Sequence, residues 1–478
     1  MSGNKKIDGK QNHQDIRNKE GIRRITVSPV TRSSGQLTVQ VALYQGRVVD
    51  ARVLGGVYRG YESILVGRNL LDAVYITQRI CGICSAAHGM VASLLLDRIY
   101  ANKITDNGRI IRNLILGAEF LQNHIRHFYI LGLPDYVEGP PAYPFWHRSG
   151  SDYRFSLAQT SQLLNHYHKS VEVSRMCHDM ATLWGGKMPH PHGIVPGGVT
   201  VNPRTDILNK FAALLAQVRK FIEYCLLKDT KLLADTYADY YHIGHGPGNF
   251  LSYGAFPYGH LPGEAYFPAG VVVGGERQTL DTSKITETHD FSWFEEDQPA
   301  EDLLARPEQP DPFKKEAYSW VETPRYGGEA MEVGPLARAV VRGETLQSST
   351  MDRIVARSIE TGWIGELMSQ WLDQFQLGQP VYQPPDLPVK PRDIGLSEVP
   401  RGGLLHGVEV EGDRIKSYKI ITPSEWNYSP RDQQGQRGVV EQSLIGIQIQ
   451  DAENPIEVGR VVRSFDPCLY CATHLIEI

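Results

Sequence analysis

Cysteine is scarce in this chain: six residues among 478. That is too few for the disulfide framework of a small secreted scaffold. No stretch reaches the roughly 18–20 uninterrupted apolar residues that cross a bilayer, so no membrane span is expected. The net charge is only -5, which argues against the basic face of a nucleic-acid binder. The first residues, MSGNKKIDGKQNHQDIRNKEGIRR, are polar and lack the apolar core of a signal peptide. An exported form would therefore take its address from another chain. What is present is ordinary globular material, 41% apolar and 22% charged, enough for a sizeable core. The length allows one large domain or two to three common ones.

Apolar periodicity organises the chain. Residues 1–23 read as a mobile arm, and 24–478 as one domain. From Leu37 to Val53, apolar and polar residues alternate around Gln45-Gly46, the pattern of a β-hairpin. Helical spacing follows in 86–100, 109–130, 154–184, 205–231 and 348–377. The stretch from Gly259 to Asp281, rich in Gly and Pro, reads as loops and short strands, and 295–312 reads as an acidic, proline-rich surface excursion. A proline-rich connector covers 378–393. The expected class is mainly α with small antiparallel β elements.

The cysteines are placed unevenly. Cys177 and Cys225 stand alone in apolar helical patterns and read as small core hydrophobes. The other four form Cys81-x-x-Cys84 and Cys468-x-x-Cys471, with His88 and His474 one helical turn beyond each pair. Thiolates suit soft metals such as zinc, copper(I), nickel or iron. Zinc ribbons also use two CxxC pairs, but typically ~15–20 residues apart, whereas here 383 residues lie between Cys84 and Cys468. Spacing alone leaves zinc and a redox metal both open, and a shared metal requires the two chain ends to converge.

The flanking residues go further. RICGIC-x3-H and the C-terminal DPCxxCxxH resemble the paired signatures of nickel–iron hydrogenase large subunits. The resemblance extends, in order, through Val27–Arg32, YRGYE (Tyr58–Glu62), NHIRHFY (Asn123–Tyr129), Tyr318–Arg338, EVPRGGLLHG (Glu398–Gly407) and TPSEWNYSPRD (Thr422–Asp432). It covers the chain from residue 24 to the C-terminus.

The resemblance implies the hydrogenase large-subunit fold and the reversible heterolytic cleavage of H2 to protons and electrons. It implies a nickel–iron centre with Fe(CO)(CN)2, with Cys81 and Cys468 as terminal ligands and Cys84 and Cys471 as bridging ones. Arg401 would overhang the open metal position, held by Asp466. Ser424, after Pro423, would donate to a cyanide, Leu404 would line the same diatomic pocket, and His88 would stand behind Cys84. Glu62, His474 and the Ile420 carbonyl would hold magnesium or iron near the C-terminus. Read without the resemblance, each has a plainer role: His88 a core histidine, Glu62 a surface carboxylate, Arg401 and Asp466 turn residues. His124 and His127 would cover a helix's polar side, and with His190 and His192 they are not counted as site residues.

Three departures stand out. The family block TRIEGH reads Thr31-Arg32-Ser33-Ser34-Gly35-Gln36 here, so Ser34 replaces a proton-accepting glutamate; a hydroxyl can pass a proton along but not hold it as a carboxylate does. The family's HDH reads Gln122-Asn123-His124, exchanging a carboxylate for an amide. Only Leu475–Ile478 follow His474, shorter than the tail usually cleaved, which implies maturation without proteolysis. The short tail and Ser34 also keep a slow, H2-sensing regulatory hydrogenase as the alternative. The remaining cysteines cannot ligate an iron–sulfur cluster, which as a rule takes four thiolates. Electrons therefore require a small iron–sulfur subunit as partner. A membrane cytochrome b or other acceptor and maturation proteins are further candidate partners. The expected location is at a membrane through the partner, with export alongside the small subunit, or else the cytoplasm.

Overall fold

The computed structural model describes residues 21–472 except 141, 143, 146–151, 260–263, 296–302, 305–308, 386, 387 and 389. Most of the N-terminal arm and the final residues, His474 included, lie outside the described residues. The hairpin forms where alternation places it. Strands β1 (Arg23–Val27), β2 (Leu37–Tyr44) and β3 (Arg47–Gly55) make one antiparallel sheet. The β2–β3 turn is Gln45-Gly46, both at positive φ, the two-residue turn that matches strand twist. Val39, Val41, Val48, Ala51 and Val53 are buried on one face, against Val440, Val458 and Val462 from near the other end of the chain.

Helices fill the middle. In chain order they are α1 (Tyr61–Leu65), α2 (Asp72–Ile76), α3 (Ser85–Ile99), α4 (Asp106–Arg126), α5 (Leu157–Gly185), α6 (Thr205–Phe221), α7 (Leu227–Thr236), α8 (Pro335–Arg342) and α9 (Thr350–Gln374). The C-terminal part adds α10 (Pro423–Tyr428), α11 (Val439–Leu444), α12 (Ile456–Ser464) and α13 (Leu469–Ala472). Thr105 caps α4, and Ser156 and Ser349 close capping boxes on α5 and α9. The apolar positions of α4, Ile110, Ile111, Leu114, Ile115, Ala118 and Leu121, are all buried. Helix α4 lies between α5 and α9, which explains why it is buried nearly all round. Cys177 and Cys225 are buried in this core, as expected.

Two expectations are refined. The helix expected to run to residue 130 leaves α geometry after Arg126 and continues as a π segment over His127–Gly132. The helix expected over 205–231 is likewise interrupted by a π segment, Ile222–Leu226. Such bulges shift the side-chain register by about one residue and cluster near functional sites. The Gly- and Pro-rich stretch contains a long strand: β6 (Phe250–Pro257), β7 (Ala265–Val273) and β8 (Glu276–Gln278) form an antiparallel meander, and a second meander runs through β11 (Arg392–Val399), β12 (Gly402–Glu411) and β13 (Arg414–Ile421). Minor pairs are β4 (Ile194–Val195) with β5 (Gly198–Val199), and β9 (Ile285–Thr288) with β10 (Thr323–Tyr326).

The chain ends are locked by buried charge. Asp135 accepts hydrogen bonds from Arg32 and from Arg463 Nε, the latter at 2.5 Å. Arg463 Nη1 also donates to the Thr31 carbonyl at 3.1 Å. One carboxylate thus ties the N-terminal loop to α12. Breaking a buried pair leaves an uncompensated charge, which costs about 3–5 kcal/mol. Asp135→Asn should lower unfolding free energy by that order, measured by chemical denaturation. A loss below about 1 kcal/mol would show that the clamp is dispensable.

Candidate metal centre

The four paired cysteines meet under one face of the protein. Cys81 follows a 3-10 turn at Thr77–Ile80, and Cys84 is the N-cap of α3. Cys468 and Cys471 flank the start of α13. The Cys81–Cys468, Cys84–Cys471 and Cys468–Cys471 sulfurs are 3.4, 3.2 and 3.1 Å apart. All four lie within 4.8 Å of one another, and all are buried. Four thiolates around one metal at ~2.3 Å stand roughly 3.7 Å apart, so the spacing suits a shared metal. It is far beyond the ~2.05 Å of a disulfide, and every cysteine is free. The chain's ends therefore converge as the spacing of the pairs requires. Hydrogen bonding to Cys468 pushes the Cys84 thiol up, burial pushes Cys471 up, and Cys468, receiving hydrogen bonds from Cys471, is drawn down. A cation in their midst would relieve this conflict, because bound thiols give up their protons.

Local backbone sets each loop. Helix α12 ends at Phe465, Asp466 takes the left-handed conformation at φ +60°, and Pro467 prevents further helix. Ser34 then pairs with Cys468 through the backbone: its N–H donates to the Pro467 carbonyl at 3.2 Å, and its carbonyl accepts from Leu469 at 2.6 Å. The next residue must be glycine. Gly35 has φ +88°, and a Cβ there would lie 2.7 Å from the Tyr470 nitrogen.

Arg401 sits on the two-residue turn between β11 and β12, where Val399 pairs with Gly402. Arg338 of α8 holds that turn. Its guanidinium donates to Glu360 and Glu398, and also to the carbonyls of Val399 and Pro400 at 3.0 and 3.1 Å. Arg401 Nε donates to the Asp466 carbonyl at 3.2 Å and lies 3.2 Å from Asp466 Oδ1. Asn123 Nδ2 donates to Asp466 Oδ2 at 2.7 Å, so the amide found in place of a carboxylate steadies Asp466. Burial works against its charge, yet Arg401 beside it holds the Asp466 carboxyl below the usual range. Arg401 Nη1 is buried with no hydrogen-bond partner among the described residues.

Cys84 and Cys471 open onto a small pocket whose other walls include His88, Arg401, Leu404, Pro423 and Ser424. Ser424 Oγ also accepts from the Cys468 N–H at 3.3 Å. His88 Nδ1 is 3.2 Å from His406 Nε2, and His406 Nδ1 is 2.9 Å from the Tyr418 hydroxyl. Burial lowers His88 to about 4.

A second polar cluster lies nearby. Glu62 is buried rather than on the surface, and its Oε1 accepts from the Ile420 N–H at 2.7 Å. Lys419 Nζ is 3.9 Å from Glu62, 2.7 Å from Glu287 and 2.6 Å from Glu322. Burial and Glu287 push the Glu425 carboxyl well up. His474 falls outside the described residues.

Several residues escaped the sequence reading. Arg338 and Lys419 carry no local signal, because their partners come from distant segments. Glu119 accepts from the Ala86 and Ala87 N–H groups at 2.9 Å each, capping α3 from α4, and burial raises it to about 8. His124 and His127 do not cover a polar face. His124 Nε2 lies 2.8 Å from Glu360 Oε1, and His127 Nε2 lies 2.6 Å from the Arg463 carbonyl. Both are buried, because α4 and the π segment that follows it are enclosed by neighbouring helices. Among the described residues, only the four cysteines form a metal-binding group of this kind.

The nickel-dependent hydrogenase family model matches residues 59–144, 139–347 and 341–474. The chain belongs to the nickel-dependent hydrogenases. It is 37% identical to the periplasmic [NiFeSe] hydrogenase large subunit of Desulfomicrobium baculatum over 96% of each chain. It is 28% identical to the quinone-reactive Ni/Fe-hydrogenase large chain of Wolinella succinogenes, over 95% of this chain and 96% of that one. The solved Ni-Fe-Se hydrogenase of D. vulgaris Hildenborough superposes with a TM-score of 0.93 at 40% identity, over 95% of this chain and 100% of that one. Although two of these names include selenium, all four positions are cysteine here. This hydrogenase is the large subunit, an oxidoreductase that cleaves H2 reversibly and passes electrons to an iron–sulfur partner. Its four cysteines form the metal-binding cluster.

Burial holds His127 at about 3, below the ~6.5 of an unfolded chain. A group with a lowered folded value contributes stability that is present above about pH 6.5 and lost as pH falls towards 3. Between about pH 7 and about pH 5 this histidine should account for a loss on the order of 2 kcal/mol. Denaturant titrations of wild type and His127→Gln measure it. Equal pH slopes in the two proteins would exclude that account.

Proposed function

We propose that the cysteine cluster holds a nickel–iron centre whose iron carries carbon monoxide and cyanide, with Cys81 and Cys468 as terminal ligands and Cys84 and Cys471 as the bridging pair. The observation that carries this reading is the asymmetry of the pocket: its lining includes Cys84 and Cys471, but not Cys81 or Cys468. Leu404, Pro423 and Ser424 would line the space beside an iron held on that side. Bound there, the centre supplies the redox and Lewis-acid chemistry that polarises dihydrogen.

The protein's own groups then act on protons and charge. Arg401 presents an unpartnered guanidinium nitrogen at the pocket, pre-aimed by Arg338 and Asp466. A donor set in place before the reaction needs no reorganisation during it. Ser424 is available to a cyanide nitrogen. Ser34, fixed beside Cys468 by two backbone hydrogen bonds, passes the proton from Cys468 Sγ to water.

The Glu62 site holds magnesium or iron together with His474 and the Ile420 carbonyl. The crowding of Glu62, Glu287, Glu322 and Glu425 around Lys419 supports this, since buried carboxylates favour a hard cation. Electrons would leave on the side of Tyr470, which lies between the two buried cysteines of its loop and is 44% exposed. The small iron–sulfur subunit docks over that face. Among the described residues, no helix is long and apolar enough to cross a membrane. Attachment would come through a membrane cytochrome b, and the periplasmic relative favours export with the small subunit.

Infrared spectroscopy of the purified complex tests the centre. Bands of iron-bound carbon monoxide and cyanide, shifting under hydrogen, are the expected result. A silent window in fully assembled protein would refute it. For the proton route, Ser34→Ala should slow hydrogen–deuterium exchange by about tenfold, less than the ~10²–10⁴-fold of a full acid–base group because water can take over part of a hydroxyl's relay. An unchanged exchange rate would remove Ser34 from the route.

A further inference from the structure

The block Tyr58–Glu62 supplies Glu62 to the second site and leaves Arg59 without an assigned role. The structure shows where its guanidinium goes. Nη2 donates to the carbonyl of Ile80, the residue before Cys81, and to the carbonyl of Tyr470, the residue before Cys471. Nη1 donates at 3.5 Å to the Arg79 carbonyl, which also accepts from the Tyr61 hydroxyl at 2.8 Å. The guanidinium lies over the Tyr61 and Tyr470 rings, 4.9 and 5.4 Å from their centroids.

One side chain therefore grips both cysteine loops from the outside, at the residue preceding one ligand of each pair. These are charge-assisted hydrogen bonds, roughly twice as strong as neutral ones. The tyrosine rings restrict the guanidinium plane and add cation–π attraction. The two loops are far apart in the chain and repel once their thiols ionise. A tie between their backbones keeps the sulfurs at metal-binding spacing before and after the metal enters.

We propose that Arg59 is the clasp of the metal centre: a positioning residue that holds the Cys81 and Cys471 loops together and so governs how firmly nickel is retained. This rests on the nickel–iron reading above. Arg59 donates to backbone carbonyls beside the ligands, so its effect runs through ligand placement. Lysine would keep the charge but lose the planar fork that serves several carbonyls at once.

The test uses the assembled complex, with Arg59→Met and Arg59→Lys beside wild type. Nickel release to a chelator is followed over time, with the infrared bands and thermal midpoint recorded on the same samples. Groups behind metal ligands typically change metal affinity by about 10–100-fold. Arg59→Met should therefore release nickel at least about tenfold faster and shift the diatomic bands, with little change in thermal midpoint. Arg59→Lys should fall between. Release at the wild-type rate with unmoved bands in Arg59→Met overturns the clasp, as does faster release accompanied by a matching fall in thermal midpoint. If Arg59→Met does not assemble, Arg59→Lys decides by the same criteria. A wild-type complex without nickel or bands would instead sink the metal reading itself.

Discussion

Four thiols from opposite ends of the chain must occupy one buried point, and much of the fold serves that constraint. Thiolates so close repel one another unless a cation lies between them, so the protein has to hold the loops by other means. It does so in layers. The Ser34–Cys468 backbone pairing joins the N-terminal loop to the second cysteine pair. Behind it, Asp135 binds arginines from both ends of the chain. The β1–β3 sheet shares its core with α11 and α12, so the N-terminal hairpin packs directly on the helix that leads into the C-terminal ligands.

The second theme is buried charge used for orientation. Arg338, Arg353, Glu332, Glu360 and Glu398 are almost wholly enclosed, and each has ionic partners. Such networks are poor evidence of added stability, since desolvation offsets most of their attraction. Their value here is geometric. Arg338 grips the two carbonyls just ahead of Arg401, and Asn123 and Arg401 between them fix Asp466. Side chains already locked in place need not be ordered during the reaction.

The exchange of a carboxylate for Asn123 reads differently once its partner is known. From sequence it is only the exchange of a carboxylate for an amide. In the structure the amide donates to Asp466, so a repulsive pair of carboxylates becomes a hydrogen-bonded one. Ser34 is less transformed: its backbone, through the pairing with Pro467 and Leu469, joins the two loops.

Much was legible in the sequence because it depends on local pattern. Alternation around Gln45-Gly46 predicted the hairpin, three- and four-residue recurrence predicted the long helices, and the resemblance of the blocks flanking the two CxxC pairs marked four cysteines as one metal site. Legibility failed where the deciding partner was distant. The π segments at His127–Gly132 and Ile222–Leu226 have no counterpart in the apolar recurrence. The burial of Glu62, His124 and His127 depends on neighbours contributed by later segments. Arg59 and Arg338 look like surface arginines until carbonyls from remote loops are seen around them. By itself the sequence determined which atoms could bind the metals and which segments would be helix or strand. Tertiary structure alone decided which sulfurs face the pocket and which buried charges are matched, because those depend on contacts between residues that the chain keeps far apart.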